Sequence, residues 1–271
     1  MLYGVMTISG VAAGVPYVAL PPAGNSGPAP MVAVWHLLDP PRSEEGMAEA
    51  VPMHGVPAWR VYFGLPMVGK RPHPGGMPEI LRLAAEDYVL NIAKPVVDQA
   101  AAEFPAALAE VREQLSIADG PIGVAGGSMG GMVAYEVTAR AEVPIVAAAL
   151  VNPLTRLAQV VESQLVRQFT GREYVWSPES RAVADRFDFV RRADEIKVPL
   201  LIVQGEEDDL SFREPVALVR KALGARADLV TVPGMGHPIA DEPSTGQNEH
   251  GRRVDAEFTR WFHNRWLSSR A

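Results

Sequence analysis

Six short apolar runs recur along the chain: Met31–Leu37, Ala58–Phe63, Ile122–Ala125, Ile145–Val151, Leu200–Val203 and Leu229–Val232. A strand with one wetted face alternates apolar and polar residues. A run that stays apolar fits a strand buried on both faces, as in a parallel sheet. Segments with helical spacing lie between these runs, at Pro78–Ala93, Val97–Leu115, Gly131–Arg140 and Glu214–Leu223, and Val254–Leu267 closes the chain. The alternation predicts an α/β fold with a mostly parallel central sheet and helices on both faces. Right-handed crossovers then bring the C-terminal ends of the parallel strands to one edge, where open α/β sheets hold their ligands. Upstream, Tyr3–Ser9 and Val15–Leu20 read as a hairpin or meander before a turn-rich loop over Pro21–Pro30. Pro153–Lys197 is the one long stretch without a strand signal. It is expected to form a small helical cap inserted into a single domain spanning 1–271.

Composition excludes several chemistries. The 271 residues include no Cys, which removes thiol nucleophiles, cysteine metal sites and disulfide frameworks. A chain this long buries enough apolar surface to need no disulfide staple. The formal charge of −7 argues against a nucleic-acid partner. No apolar stretch reaches the ~18 residues that a membrane span needs. Met1–Leu20 is mostly apolar, but the first basic residue is Arg42, so the segment reads as strands rather than a secretory leader, and a cytoplasmic location is expected. Oligomeric state carries no signal.

The segment that speaks of chemistry is Gly126-Gly127-Ser128-Met129-Gly130, a G-x-S-x-G match with a buried strand before it and a helix after it. That context is what the motif requires: a strained strand-to-helix turn lifts the serine Oγ above the sheet, and glycines fill the positions where side chains would collide. Ser128 is the expected nucleophile. The backbone N–H of Met129, at the helix start, is placed to meet an oxyanion. Rival glycine motifs fail. No G-x-G-x-x-G is present, and Gly131 is followed by Met132 where a phosphate-cradling loop needs Lys.

A serine hydroxyl needs an adjacent base at neutral pH. Of six histidines, His237 lies just past the Leu229–Val232 run, in a Gly-flanked loop that can bring an imidazole to the nucleophile. The acid is expected from the exit loop of the preceding strand, Glu206-Glu207-Asp208-Asp209. Like charges this close cannot all be buried and ionised. Asp208 is the choice, Asp209 the alternative, and Glu206 and Glu207 are set aside. The order Ser, Asp, His is that of α/β-hydrolases. His54, His73, His250 and His263 show no metal-ligand spacing, so neither metal nor cofactor is called for. Met129, Met132 and Met235 fall near the expected site, and Trp261, Phe262 and Trp266 read as the packing face of the last helix.

These pieces together resemble the α/β-hydrolase superfamily, nearest to its dienelactone-hydrolase, prolyl-oligopeptidase-like and small-esterase branches. The resemblance rests on the His36 strand end, the Leu65–Arg71 loop, Gly126–Gly130, Gly205–Asp208 and Gly234–His237. It spans most of the chain from Val32 onward and is specific for the superfamily, not for a substrate. It implies a second oxyanion donor after the strand end. By position that is the N–H of Leu38, with Leu37 as the alternative because it replaces the usual glycine. His36 is then structural, beneath the oxyanion loop.

The resulting reading is a serine hydrolase that cleaves small-molecule carboxylic esters through an acyl-enzyme on Ser128. A peptidase, thioesterase or acyltransferase would use the same three residues. A non-catalytic binding protein of the same fold would lack one of them.

Overall fold

The computed structural model describes residues 7–24, 27–243 and 246–268. Eight strands form one sheet: β1 (Ile8–Ala12), β2 (Val15–Leu20), β3 (Met31–Trp35), β4 (Trp59–Phe63), β5 (Ile122–Gly127), β6 (Ile145–Val151), β7 (Leu200–Gly205) and β8 (Ala227–Val232). Their order across the sheet is β1-β2-β4-β3-β5-β6-β7-β8. The β1–β2 and β2–β4 pairings are antiparallel; from β4 to β8 every pairing is parallel. The expected first strand shifts. Tyr3–Met6 lie outside the described residues, and β1 runs on past Gly10 to a tight turn in which Ala13 and Gly14 both take positive φ. Two such residues suit the two-residue hairpin turn whose twist matches the strands.

Period-two alternation splits each central strand between two cores. Met31, Ala33 and Trp35 of β3 face one side with Val61 and Phe63 of β4, Leu150 of β6 and Ile202 of β7. Val32, Val34, Tyr62, Ala149, Val151 and Val203 face the other. The first face is covered by α3 (Lys94–Gln114), α4 (Ser128–Arg140) and α8 (Leu210–Leu223). There Trp35, Phe63 and Phe104 pack with ring centroids 4.9–6.0 Å apart, at the offsets that aromatic quadrupoles favour. The second face is covered by α1 (Glu44–Ala50) and α9 (Glu249–Ser268). Trp261 and Phe262 of α9 are buried on it; the Trp266 side chain lies outside the described residues.

Two helices depart from the expected boundaries because an Asp side chain engages the backbone. The helix expected over Pro78–Ala93 breaks at Asp87, whose backbone is extended (φ −160°, ψ 98°). α2 (Gly76–Tyr88) stops there, a π-helical turn covers Val89–Ala93, and α3 follows directly. The Asp87 carboxylate accepts from the Leu90 N–H at 2.9 Å and restarts the chain, which is the competition with helix that makes Asp a capping residue. α8 begins four residues before Glu214 because Asp209 caps it, accepting from the Ser211 N–H at 2.8 Å. Between β6 and β7 the chain forms three short helices, α5 (Leu157–Glu162), α6 (Gln164–Thr170) and α7 (Pro178–Arg186).

The chain leaves β3 towards β4 on one side and returns to β5 on the other. The connections therefore diverge at the β3/β5 pair, where Trp35 lies opposite Gly126. Such a divergence opens a crevice at the C-terminal edge of the sheet. The loops after β3, β5, β6, β7 and β8 all open onto that edge.

Candidate active site

β5 ends at Gly127, and the chain turns into α4 at Ser128 with φ +48°. A side chain in this region is strained by about 1–3 kcal/mol and persists only where its surroundings hold it. The surroundings are glycines. A Cβ on Gly126 would sit 2.2 Å from the Gly130 carbonyl oxygen, and one on Gly130 would sit 2.2 Å from the His36 carbonyl oxygen. Both collisions are with backbone, so neither can relax by a side-chain rotation. At Gly127 the collision would be with the Leu37 side chain, at 2.3 Å.

Three separated side chains meet above this turn. The His237 Nε2 lies 2.8 Å from the Ser128 Oγ. The His237 Nδ1 lies 3.0 Å from each carboxylate oxygen of Asp208. A proton on Nδ1 satisfies Asp208 and leaves Nε2 free to accept from the serine hydroxyl. Asp208 is buried, and its Oδ1 also accepts from the Asp209 N–H at 2.8 Å. Asp209 is exposed and engaged in capping α8, while Glu206 and Glu207 are exposed. The Phe212 ring packs against the imidazole at 4.2 Å between centroids and limits its rotation.

The residue that ties the His237 loop to β7 is Asn152, which the sequence reasoning missed. It is buried, takes φ +42° at the end of β6, and donates from Nδ2 to the carbonyls of Gly236 and His237, both at 2.9 Å. Its Oδ1 accepts from the Gly205 N–H at 2.8 Å. One amide thus fixes the His237 loop against the strand that delivers Asp208. The close approach explains Gly205, where a Cβ would meet the Met235 carbonyl oxygen at 2.3 Å. The available signal was an Asn-Pro pair directly after the Ile145–Val151 run, a turn signal at the strand's C-terminal end.

His36 is fully buried at the end of β3. Its Nδ1 donates to the Leu37 carbonyl at 2.6 Å, and its Nε2 accepts from the Leu65 N–H at 3.1 Å. Because a trans peptide sets C=O and N–H antiparallel, engaging the Leu37 carbonyl turns the Leu38 N–H away from His36. The Leu37 side chain is buried in the core, whereas Leu38 lines the cleft with Ser128 and Met129. Met132 and Met235 are core residues.

Burial holds the His36 imidazole down to about 4, against the opposing pull of its bond to the Leu37 carbonyl. An unfolded chain takes up this proton below about pH 6.5 and the folded chain does not. The stabilisation is therefore complete above that pH. It falls by about 1.4 kcal/mol per pH unit as the solution is acidified towards pH ~4. Between pH ~7 and ~5, wild-type unfolding free energy should drop about 2 kcal/mol more than that of His36→Gln. Identical slopes for the two proteins in denaturant titrations would contradict this.

The cleft beside Ser128 has a volume of about 560 Å³. Its wall is apolar, formed by residues such as Met67, Ile80, Ile92, Leu154, Val160 and Val166, and its charged lining comprises Asp39, Arg42, Glu207, Asp208 and Asp209. α2, the π-helical turn, α5 and α6 all contribute to the wall.

An eight-stranded, mostly parallel sheet with helices on both faces, carrying these loops on one edge, is the fold of the α/β-hydrolase serine hydrolases. Residues 85–268 match the model of the prolyl oligopeptidase family, and the chain belongs to that family. The Thermus thermophilus protein TT1662 superposes with a TM-score of 0.65 at 19% identity, covering 96% of this chain and 98% of that one. The acylaminoacyl peptidase of Pyrococcus horikoshii gives 0.62 at 15% identity over 96% of this chain and 41% of its own. A puromycin-hydrolyzing peptidase of Mycobacterium tuberculosis gives 0.59 at 18% identity over 93% and 38%. Two uncharacterized proteins of Mycobacterium tuberculosis are 28% identical over 153 residues, which is 55% of this chain. That match covers 50% of their length, so the chain spans about half of the curated relatives it matches. Among the described residues, no helix is long and apolar enough to cross a membrane.

Proposed function

We propose that the protein hydrolyses carboxylic esters through an acyl-enzyme on Ser128. The observation that carries the reading is the continuous hydrogen-bond line from Ser128 Oγ through His237 to Asp208 at 2.8 and 3.0 Å. In the acylation step Ser128 Oγ attacks the carbonyl carbon while His237 Nε2 takes its proton. Asp208 holds the imidazole and stabilises the imidazolium. The N–H groups of Met129 and Leu38 receive the oxyanion. The tetrahedral intermediate collapses as His237 returns the proton to the leaving oxygen. Water then repeats the sequence and frees the acid. In this reading the helical segment between β6 and β7 acts as a cap, since Val160 of α5 and Leu165 and Val166 of α6 line the cleft that holds Ser128. The substrate is a small molecule, because the site is a cleft of limited volume.

The apolar wall favours an uncharged acyl group. Each buried methylene contributes about 0.8 kcal/mol, so kcat/KM should rise about three- to fourfold per added carbon until the wall is filled. A p-nitrophenyl acyl ester series, run beside acyl-CoA and aminoacyl anilides, measures this. A second reading, peptidase, is favoured by the family match and by the peptidases among its structural neighbours. Anilides turned over faster than every ester in the series would replace the esterase reading with it.

A further inference from the structure

Asp39 stands at the rim of the cleft, one residue after Leu38, and its Oδ2 lies 3.8 Å from His237 Nε2. This is the nitrogen that faces Ser128, on the side of the ring opposite to Asp208. Among the described residues, no other ion-pair partner reaches Asp39 within 4 Å. With its ring proton on Nδ1 towards Asp208, Nε2 accepts from the serine hydroxyl and has no N–H to offer Asp39. Arg42, which lines the same cleft, pairs with Glu242 at 2.9 Å. The Asp39 side chain keeps 52% of its surface exposed, which leaves it open to a ligand.

The position defines which part of a substrate it meets. The leaving atom must lie against Nε2 to receive the proton, so the group attached to it passes Asp39 on the way to solvent. Tyr88 lines the same cleft, and Asp39 is close enough that its charge, added to burial, raises the Tyr88 hydroxyl out of the titrating range. An aromatic ring and a carboxylate lining one cleft are a combination that recognises ammonium groups.

We infer that Asp39 selects substrates whose leaving group carries a positive charge close to the scissile bond, such as esters of amino alcohols or quaternary ammonium alcohols. The inference rests on Ser128 being the nucleophile and adds the substrate class. The other acidic side chains of the lining, Glu207 and Asp209, add to the attraction without being placed to make this contact.

The test compares a choline ester with the neutral 3,3-dimethylbutyl ester of the same acyl chain. The two leaving groups have the same shape, so the ratio of their kcat/KM values cancels any general loss of activity. At low ionic strength the wild-type ratio should be about five- to tenfold in favour of the cation, as expected for a half-exposed charge contact. The ratio should fall towards one in Asp39→Asn, drop below one in Asp39→Lys, and shrink as salt is added. A wild-type ratio near one, or a ratio unmoved in Asp39→Asn, would overturn the inference. Phosphonylation of Ser128 by a fluorophosphonate separates the two levels. If Ser128 is labelled and neither ester is cleaved, the substrate class is wrong and the nucleophile stands. If neither labelling nor cleavage occurs, the nucleophile falls and this inference falls with it.

Discussion

Ser128→Ala is expected to lose between about 10⁴- and 10⁶-fold in kcat on any ester that the wild type turns over. In the proposed mechanism the hydroxyl oxygen is the atom that forms and breaks the covalent bond. Asp39, Asp208 and Asp209 are the other oxygen nucleophiles in the cleft lining near His237 besides Glu207, and Asp208 is locked to the imidazole. The change removes one buried oxygen at a residue held by the Gly126 and Gly130 backbone contacts, so the fold should survive it. Circular dichroism and a thermal midpoint close to wild type would show that the loss is chemical. A variant within tenfold of wild type would place the nucleophile elsewhere.

Asp208→Asn has the second-largest expected effect, about 10⁴-fold in kcat, with little change in KM. The amide keeps the shape of the carboxylate but can present an N–H to Nδ1. The imidazole then carries its proton on Nε2, facing Ser128, and cannot accept from it. The buried negative charge that stabilises the imidazolium is lost as well. Asp209→Asn is the control. Its carboxylate caps α8 through Ser211, and Asn caps a helix about as well as Asp. The expected loss there is far smaller than at Asp208. Equal losses at the two positions would assign the acid's role to the loop as a whole rather than to Asp208.

Much of this architecture was legible because it rests on patterns that the backbone imposes. Each of the six apolar runs overlaps a strand of the sheet, since a strand buried on both faces has no place for a polar face; β8, at the sheet edge, is the exception, with Asp228 and Thr231 exposed. Gly126 and Gly130 were legible because their Cβ positions are filled by backbone, a constraint that permits only one residue type. The loops after β7 and β8 followed from the parallel order of the strands. What escaped was set by tertiary contact. The break at Asp87 depends on a side chain capping the π-helical turn and on the hydroxyl of Tyr174, which hydrogen-bonds to the same carboxylate from far along the chain. Helical periodicity across Pro78–Ala93 conceals both. Asn152 works by bridging two loops from β6, and its role exists only once β6, β7 and β8 are side by side. Arg192, from the segment between β6 and β7, reaches the buried Glu136 at 2.8 Å and the Arg186 carbonyl, contacts that no local pattern announces. Asp39 next to His237 is likewise a consequence of two loops meeting at the sheet edge, 198 positions apart in numbering, that no local motif announces.

The most direct measurement is to treat the protein with a fluorophosphonate and locate the adduct by peptide mass spectrometry. A single phosphonyl group on the peptide that contains Ser128, absent after prior reaction with substrate-like acylating agents and absent in Ser128→Ala, is the predicted result. An adduct on a different residue, or an unmodified Ser128 in protein that is actively cleaving ester, would contradict the account.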